Sequence, residues 1–257
     1  MKTRNILAAA SLVAATLLTS AFIIHKHSTT PLVGNKGFAV VELYTSEGCS
    51  SCPPADEVAA KLQQESPDKP IYVLAFHVDY WDGPKWKDAF ISGEFTDRQN
   101  QYAHWLKILQ VYTPQVFVNG KTELVGSEER KLRGIIAADL DAPAANQLTL
   151  TNIKTDPKKA SLQYQVQGST DDQQLVLALV QKHAERKIGG GENSGRTISH
   201  VQIVRQLKTV YARRNGSASI NLPKDFEASG YELIAFLQNS VTGEITGAAK
   251  QDFPSAS

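Results

Sequence analysis

Sulfur is what the 257-residue sequence has least of, with two cysteines and one methionine. Two cysteines cannot make a disulfide framework, nor can they fill a four-sulfur metal site on their own. Net charge is nearly absent as well. The 27 Lys and Arg against 26 Asp and Glu leave +1, with no basic excess to draw nucleic acid or acidic lipid. With 17 Gly and 11 Pro, a collagen-like or low-complexity chain is excluded. Long apolar runs are missing beyond the first 24 residues. What is present is 42% hydrophobic and 21% charged residues, enough apolar mass to bury a core. At about 150 residues per domain, the length suits one or two domains.

Lys2 and Arg4 precede an uncharged stretch, residues 5–24, that ends at His25-Lys26-His27, the pattern of an export signal. Thr19-Ser20-Ala21 offers small residues for cleavage, so residues 1–21 read as a signal peptide. The same stretch is long enough to span a bilayer, and an uncleaved anchor to about residue 24 is the competing reading. Both put the folded part outside the cytoplasm. Cleavage makes it periplasmic or secreted; retention holds it on the inner membrane, facing the periplasm. Residues 22–36 follow as a linker.

Over residues 37–142, strand-like and helix-like periods alternate. Residues 38–44 are a short apolar run with β-branched and aromatic members, as in a buried strand. Ala55, Val58, Ala59 and Leu62 share one face of a helix, and residues 71–77 form a second buried run. Thr96-Asp97-Arg98-Gln99 has the form of a capping box opening a helix with Tyr102, Trp105, Leu106 and Leu109 on one face. Gly120-Lys121 is flanked like a tight hairpin, and Ser127 is placed to cap a helix carrying Leu132, Ile135 and Ile136. The expected order is β-α-β-α-β-β-α. Beyond Asp141-Ala142-Pro143 the helical period gives way to seven strand-like segments. They predict an all-β, sandwich-like domain over residues 143–251, with 252–257 as a tail.

Cys49-Ser50-Ser51-Cys52 lies between the first strand and the first helix, and a Cys-x-x-Cys beside a β-α-β pattern reads as a thioredoxin-like redox motif. Two thiols three residues apart on a helix's first turn can close a disulfide. Amides and the positive end of the helix stabilise the Cys49 thiolate as nucleophile, and Cys52 resolves the mixed disulfide. Hydroxyls of Ser50 and Ser51 can add hydrogen bonds, while Glu47, Asp56 and Glu57 disfavour a second negative charge. The expected thiol pKa therefore lies below ~8.5 but above the strongly acidic ~3.5. A purely structural staple closing four residues contributes only about 2 kcal/mol. Half of a metal site is the other plain alternative, but it needs partners supplied by the fold.

Thr113-Pro114 stands just before a strand-like run, where a cis X-Pro next to a dithiol would leave the Thr113 backbone free to pair with a substrate strand. Parallel strands at 38–44 and 71–77 bring their carboxyl ends to one side, which is where open α/β sheets bind ligands. That puts His77 and Asp79 in reach as proton shuttles for the dithiol, or as side chains bonded to loop backbone. Glu42, a carboxylate inside a buried strand, must be paired, proton-sharing or water-linked, and is a candidate general base. Tyr80, Trp81 and Trp86 form a substrate rim or pack against the inserted segment. Gly189-Gly190-Gly191-Glu192-Asn193-Ser194-Gly195 lacks the Lys-Ser/Thr ending of a phosphate loop and reads as a hairpin loop. His200, Arg205, Arg213 and Arg214 are expected at the surface or the seam between domains.

The string from Glu42 through Cys49-Ser50-Ser51-Cys52-Pro53-Pro54 to Asp56, with Ala75-Phe76-His77-Val78-Asp79-Tyr80-Trp81-Asp82 and Tyr112-Thr113-Pro114-Gln115, resembles an uncharacterised secreted thioredoxin-like family of bacteria. Gly191-Glu192-Asn193-Ser194-Gly195-Arg196 and His200 resemble its second half. The resemblance covers roughly residues 38–250. It implies an α/β thioredoxin-like domain over 37–142 followed by the β-rich domain, in an exported protein, and it supplies no substrate. Gly48 stands where a Trp usually precedes the first Cys, and Pro53-Pro54 follow the dithiol instead of a Pro within it. These departures weigh against reduction by thioredoxin reductase.

The expectation is an exported thiol–disulfide oxidoreductase in which Cys49 attacks, Cys52 resolves and Thr113-Pro114 lines the substrate strand. Its partners would be protein or peptide thiols and disulfides, plus a redox partner the sequence does not name. No cofactor, metal or nucleic acid is called for, and membrane contact only through an uncleaved N-terminal segment. The alternative is a non-catalytic binding module, or a protein delivering a soft metal such as copper to thiolates.

Overall fold

A computed structural model describes residues 36–254 with the exception of Lys85; the signal or anchor segment and nearly all of the linker lie outside the described residues. No helix among the described residues is long and apolar enough to cross a membrane. β1 (Ala39–Thr45) is buried along its whole length, as a strand covered on both faces must be. It pairs in parallel with β2 (Ile71–His77), from Ala39 opposite Ile71 to Thr45 opposite His77, so both carboxyl ends reach one edge. α1 (Pro53–Glu65) makes the crossover and buries Ala55, Val58, Ala59 and Leu62, the face its spacing predicts. α2 (Gly93–Leu106) follows a long loop, and β3 (Gln115–Val118) then pairs antiparallel with the other side of β1. β4 (Thr122–Val125) returns through a turn in which Asn119 and Gly120 have positive φ. At Gly120 a Cβ would lie 2.0 Å from the Gly243 carbonyl oxygen, so only glycine fits. α3 (Glu129–Asp141) closes this half in the expected order.

The second half is β5 (Gln147–Thr155), β6 (Lys159–Gln167), β7 (Gln173–Lys187), β8 (Thr197–Tyr211), β9 (Asn215–Asn221), β10 (Tyr231–Asn239) and β11 (Ile245–Asp252). It is not a separate domain. β8 pairs with β2 through Ile203 and Ala75, and the result is one eight-stranded mixed sheet, β11-β10-β7-β8-β2-β1-β3-β4. A three-stranded sheet, β5-β6-β9, stands beside it. The expected α/β thioredoxin-like domain followed by a separate β-sandwich is therefore overturned in favour of one mostly β architecture. The physical reason lies at the edge of β2. A buried strand cannot leave its outer N–H and C=O groups unpaired, and β8 meets that edge at Ala75. Strand periodicity says which residues face a core, but not which sheet a strand joins.

Alternation within β7 divides the core. Leu175, Leu177 and Leu179 pack under the small sheet with Leu162, Tyr164 and Ile220. Val176, Ala178 and Val180 point the other way, into a cluster with Phe76, Phe95, Tyr102 and Phe236 beneath α2. α1 and α3 cover the β1–β4 end beside the small sheet, against Val41, Leu43 and Val73. Three local expectations are corrected. Ser92, not Thr96, caps α2, its side chain accepting from the Glu94 amide, while Thr96 donates instead to Asp79 Oδ1. Leu109 lies beyond the helix end and is fully exposed. α3 is preceded by Glu128, with no side-chain cap from Ser127.

Candidate functional site

Cys49 and Cys52 form a disulfide at the start of α1, just past the carboxyl end of β1, with Cα atoms 5.5 Å apart. Cys52 is the N-cap, and Pro53 and Pro54 take the first helical positions. The prolines remove two amide donors, so the first helical N–H groups come from Ala55 and Asp56, both of which donate to the Cys52 carbonyl. Ser51 Oγ lies 3.3 Å from Cys49 Sγ. Ser50 turns the other way: its amide and hydroxyl both donate to Glu192 Oε2, at 3.1 and 2.6 Å. These two bonds hold the Glu192 carboxyl below the usual carboxylate range.

The Thr113–Pro114 peptide bond is cis and immediately precedes β3, which pairs with the end of β1 through Tyr44 and Gln115. Trp81 joins this turn to the dithiol loop. Its indole N–H donates to Thr113 Oγ1 at 2.7 Å, and its Cβ and carbonyl oxygen crowd the position a Cβ on Gly48 would occupy, at 3.2 and 3.3 Å. That close approach accounts for glycine before Cys49. Tyr80 and Trp81 are 45% and 37% exposed, an aromatic surface beside the cis-proline turn. Trp86 sits deeper. Its indole donates to Glu47 Oε2, and its ring is wedged against Gly189, where a Cβ would meet it at 2.8 Å.

Both cysteines are fully buried, and the loop between β7 and β8 is bonded to the segment that carries Cys49. The buried Asn193 amide donates to the carbonyls of Glu47 (3.0 Å) and Cys49 (2.8 Å), and Arg196 donates to Asn193 Oδ1. Gly191, at φ +74°, lies against Gly48. The loop is a hairpin loop, as its sequence suggests, but it clasps the dithiol segment.

Under the dithiol lies a buried group of acids and imidazoles. His77, at the end of β2, bonds through Nδ1 to Asp88 Oδ2 at 2.6 Å, and Asp88 also accepts from the amides of Glu47 and Phe90. Burial alone would raise the Asp88 carboxyl, but the His77 charge, the His77 hydrogen bond and those amides outweigh it and hold it at about 2. His200, from β8, stacks edge to face on His77 with ring centroids 4.9 Å apart. Its Nε2 is 3.6 Å from Glu47 Oε1, and its Nδ1 is 4.0 Å from Asp56 Oδ2. Burial pushes Asp56 up to about 7, against the lowering effects of His200 and the Thr45 hydroxyl, with Asp88 and Glu57 adding repulsion. Glu47 receives hydrogen bonds from Trp86 and from Arg186 of β7, which leads to the surface. Among the described residues, no three His, Cys, Asp or Glu converge as ligands for a metal ion.

His77 thus sits in this buried group, and Asp79 does not. Asp79 accepts from Thr96 at the start of α2. Glu42 is committed elsewhere: Arg98 grips it through Nε and Nη2 at 2.7 and 2.8 Å, and Tyr102 and Tyr44 donate to it as well. His200, expected at the surface or the seam between domains, is buried where β8 meets the first half, in the centre of the group. Sequence reasoning missed Asp88 and Arg186 and read Glu192 and Asn193 only as part of a loop. The signal that could have singled out Glu192 and Asn193 is polar residues in the glycine-rich hairpin loop at 189–195, where a plain hairpin needs none.

A family described as "Protein of unknown function (DUF1223)" matches residues 40–238. The chain belongs to this family. Its match spans both halves, from β1 to β10, so the dithiol and the hairpin that clasps it lie within one family unit. The fold is similar to a crystal structure of protein AGR_C_4864 from Agrobacterium tumefaciens, at TM-score 0.66 and 25% identity over 85% of this chain and 96% of that one. HBP35 of Porphyromonas gingivalis is similar in fold, at TM-score 0.59 and 15% identity over 85% and 76% of the two chains. No curated protein matches the chain.

Proposed function

We propose that this DUF1223 protein is an exported thiol–disulfide oxidoreductase acting on protein or peptide thiols, with Cys49 as nucleophile and Cys52 as resolving thiol. The observation that carries the reading is the placement of the Cys49–Cys52 disulfide. It stands at the start of α1, at the carboxyl edge of the parallel β1–β2 pair, with the cis Thr113–Pro114 turn joined to it through Trp81. An extended substrate segment would lie along Thr113, with Tyr80 and Trp81 as its apolar rim. Exchange then requires the 189–195 loop to part from the dithiol, since both cysteines are covered in the disulfide form.

The test equilibrates the protein in glutathione redox buffers, quenches with alkylator and counts free thiols by mass. A reversible midpoint between about −120 and −270 mV places it among exchange catalysts. A disulfide that resists reduction below about −300 mV refutes the proposal. Cys52→Ser accumulates adducts at Cys49 and Cys49→Ser does not; equal trapping by both overturns the roles. Copper bound stoichiometrically through gel filtration, without exchange, would favour metal delivery instead.

A further inference from the structure

Resolution of a mixed disulfide has a proton problem. Cys52 is fully buried in the disulfide form, so an acceptor within the protein is better placed than bulk water to take the proton of its thiol. The carboxylate inside β1, Glu42, is held by Arg98, Tyr102 and Tyr44 and has no free oxygen to offer. Asp56 stands one helical turn beyond Cys52, on the same face of α1, its amide bonded to the Cys52 carbonyl at 3.1 Å. One of its oxygens accepts from Thr45, and the other faces His200 Nδ1. His200 Nε2 has no hydrogen-bond partner although it is buried, and the same is true of His77 Nε2 in the ring stacked against it. Buried imidazole nitrogens are rarely left bare without a use.

Resting on the exchange reading above, we propose that Asp56 holds the proton of Cys52 during resolution, and that His200 positions Asp56 and links it through Glu47 to the Arg186 surface. When the protein reduces a substrate disulfide, the Cys49 thiolate attacks it. A Cys49–substrate S–S bond forms and one substrate thiolate leaves. Asp56 then takes the proton from the Cys52 thiol, and the freed sulfur attacks Cys49 Sγ. The Cys49–Cys52 bond forms, the second substrate sulfur departs as thiolate, and the substrate thiolates take protons from water. The cysteine pair has lost two electrons and the substrate has gained them. In the reverse direction, the carboxyl of Asp56 returns the proton to Cys52. The groups facing Asp56 are Thr45 from β1, His200 from β8, Asp88 with its partner His77, and Glu57 on α1; Glu47 and Arg186 lie behind His200.

The test mixes reduced protein with glutathione disulfide, quenches in acid across pH 5–9 and follows mixed disulfide and resolved protein by mass. Wild type should show a resolution rate that falls as pH drops through about 7, where the Asp56 carboxylate becomes protonated. Asp56→Asn should slow resolution at pH 7 by about 10²-fold, the usual scale of positioned proton transfer, with formation of the Cys49 adduct unchanged. Its rate should then follow the ionisation of Cys52 itself, at higher pH. His200→Gln should move the wild-type limb to higher pH, because His200 lowers Asp56. A merely structural role would leave that limb in place. Resolution profiles of both variants that superimpose on wild type overturn the relay while leaving the exchange reading intact. Failure of wild type to form any mixed disulfide overturns both. If Asp56→Asn does not fold, His200→Gln and the carboxyl carbon NMR shift of Asp56 in wild type decide; a carboxyl titrating near 4 refutes the proposal.

Discussion

Asn193→Ala should cut the clasp between the β7–β8 hairpin and the dithiol loop. The side chain is fully buried, and its amide is the donor to two main-chain carbonyls, Glu47 at 3.0 Å and Cys49 at 2.8 Å. Alanine leaves both carbonyls buried with that donor removed, and it takes away the acceptor for Arg196. A buried polar group stripped of its partner costs about 1–3 kcal/mol. The Cys49 carbonyl keeps the Cys52 amide at 3.2 Å, so the Glu47 carbonyl alone is stripped, and the loss should be about 1–3 kcal/mol in urea unfolding of the oxidised protein. The same substitution should speed reduction of the disulfide by dithiothreitol, because the loop is no longer tied to the segment that carries Cys49. A stability loss below about 1 kcal/mol would refute the hydrogen-bond accounting. A full loss with an unchanged reduction rate would refute the idea that this loop controls access.

Arg98→Met leaves the Glu42 carboxylate buried without its cation, and should cost about 3–5 kcal/mol in urea unfolding. Adding Glu42→Gln to it should recover a large part of that loss, and no recovery would mean that packing of Arg98 over Phe76 and Tyr102 matters more than its charge. The two buried aspartates should act on stability in opposite directions with pH. Asp88, at about 2 in the folded chain, contributes about 2 kcal/mol above pH 4 that is lost as pH falls toward 2. Asp56, raised to about 7, contributes when protonated, so about 4 kcal/mol present below pH 4 is lost as pH rises to 7. Asp88→Asn should flatten the acid limb of a stability-against-pH curve and Asp56→Asn the neutral one; parallel curves for variant and wild type would refute these assignments.

Much of the element plan was legible in the residues themselves. The runs at β1 and β2, the apolar stripe of α1, the hairpin turn at Gly120-Lys121 and the seven strands of the second half all follow from local period and turn chemistry. The Cys49–Cys52 disulfide and the Thr113–Pro114 turn were legible too, from the Cys-x-x-Cys spacing and a proline placed just before a strand. Fine caps were not. Ser92 outcompeted Thr96 because Asp79, close by in space, accepts the Thr96 hydroxyl.

What the sequence alone determined, then, is local: which segments are strands or helices, and that two thiols stand at a helix start. Only the tertiary structure decided that β8 would meet the edge of β2, and this one pairing overturned the division into two domains. The same event carries His200, Arg186, Glu192 and Asn193 to a dithiol some 140 positions earlier in the chain. No periodicity encodes such meetings. They follow from the need of a buried strand edge for hydrogen-bond partners, and of buried charges for one another, and those needs are met in space, not along the chain.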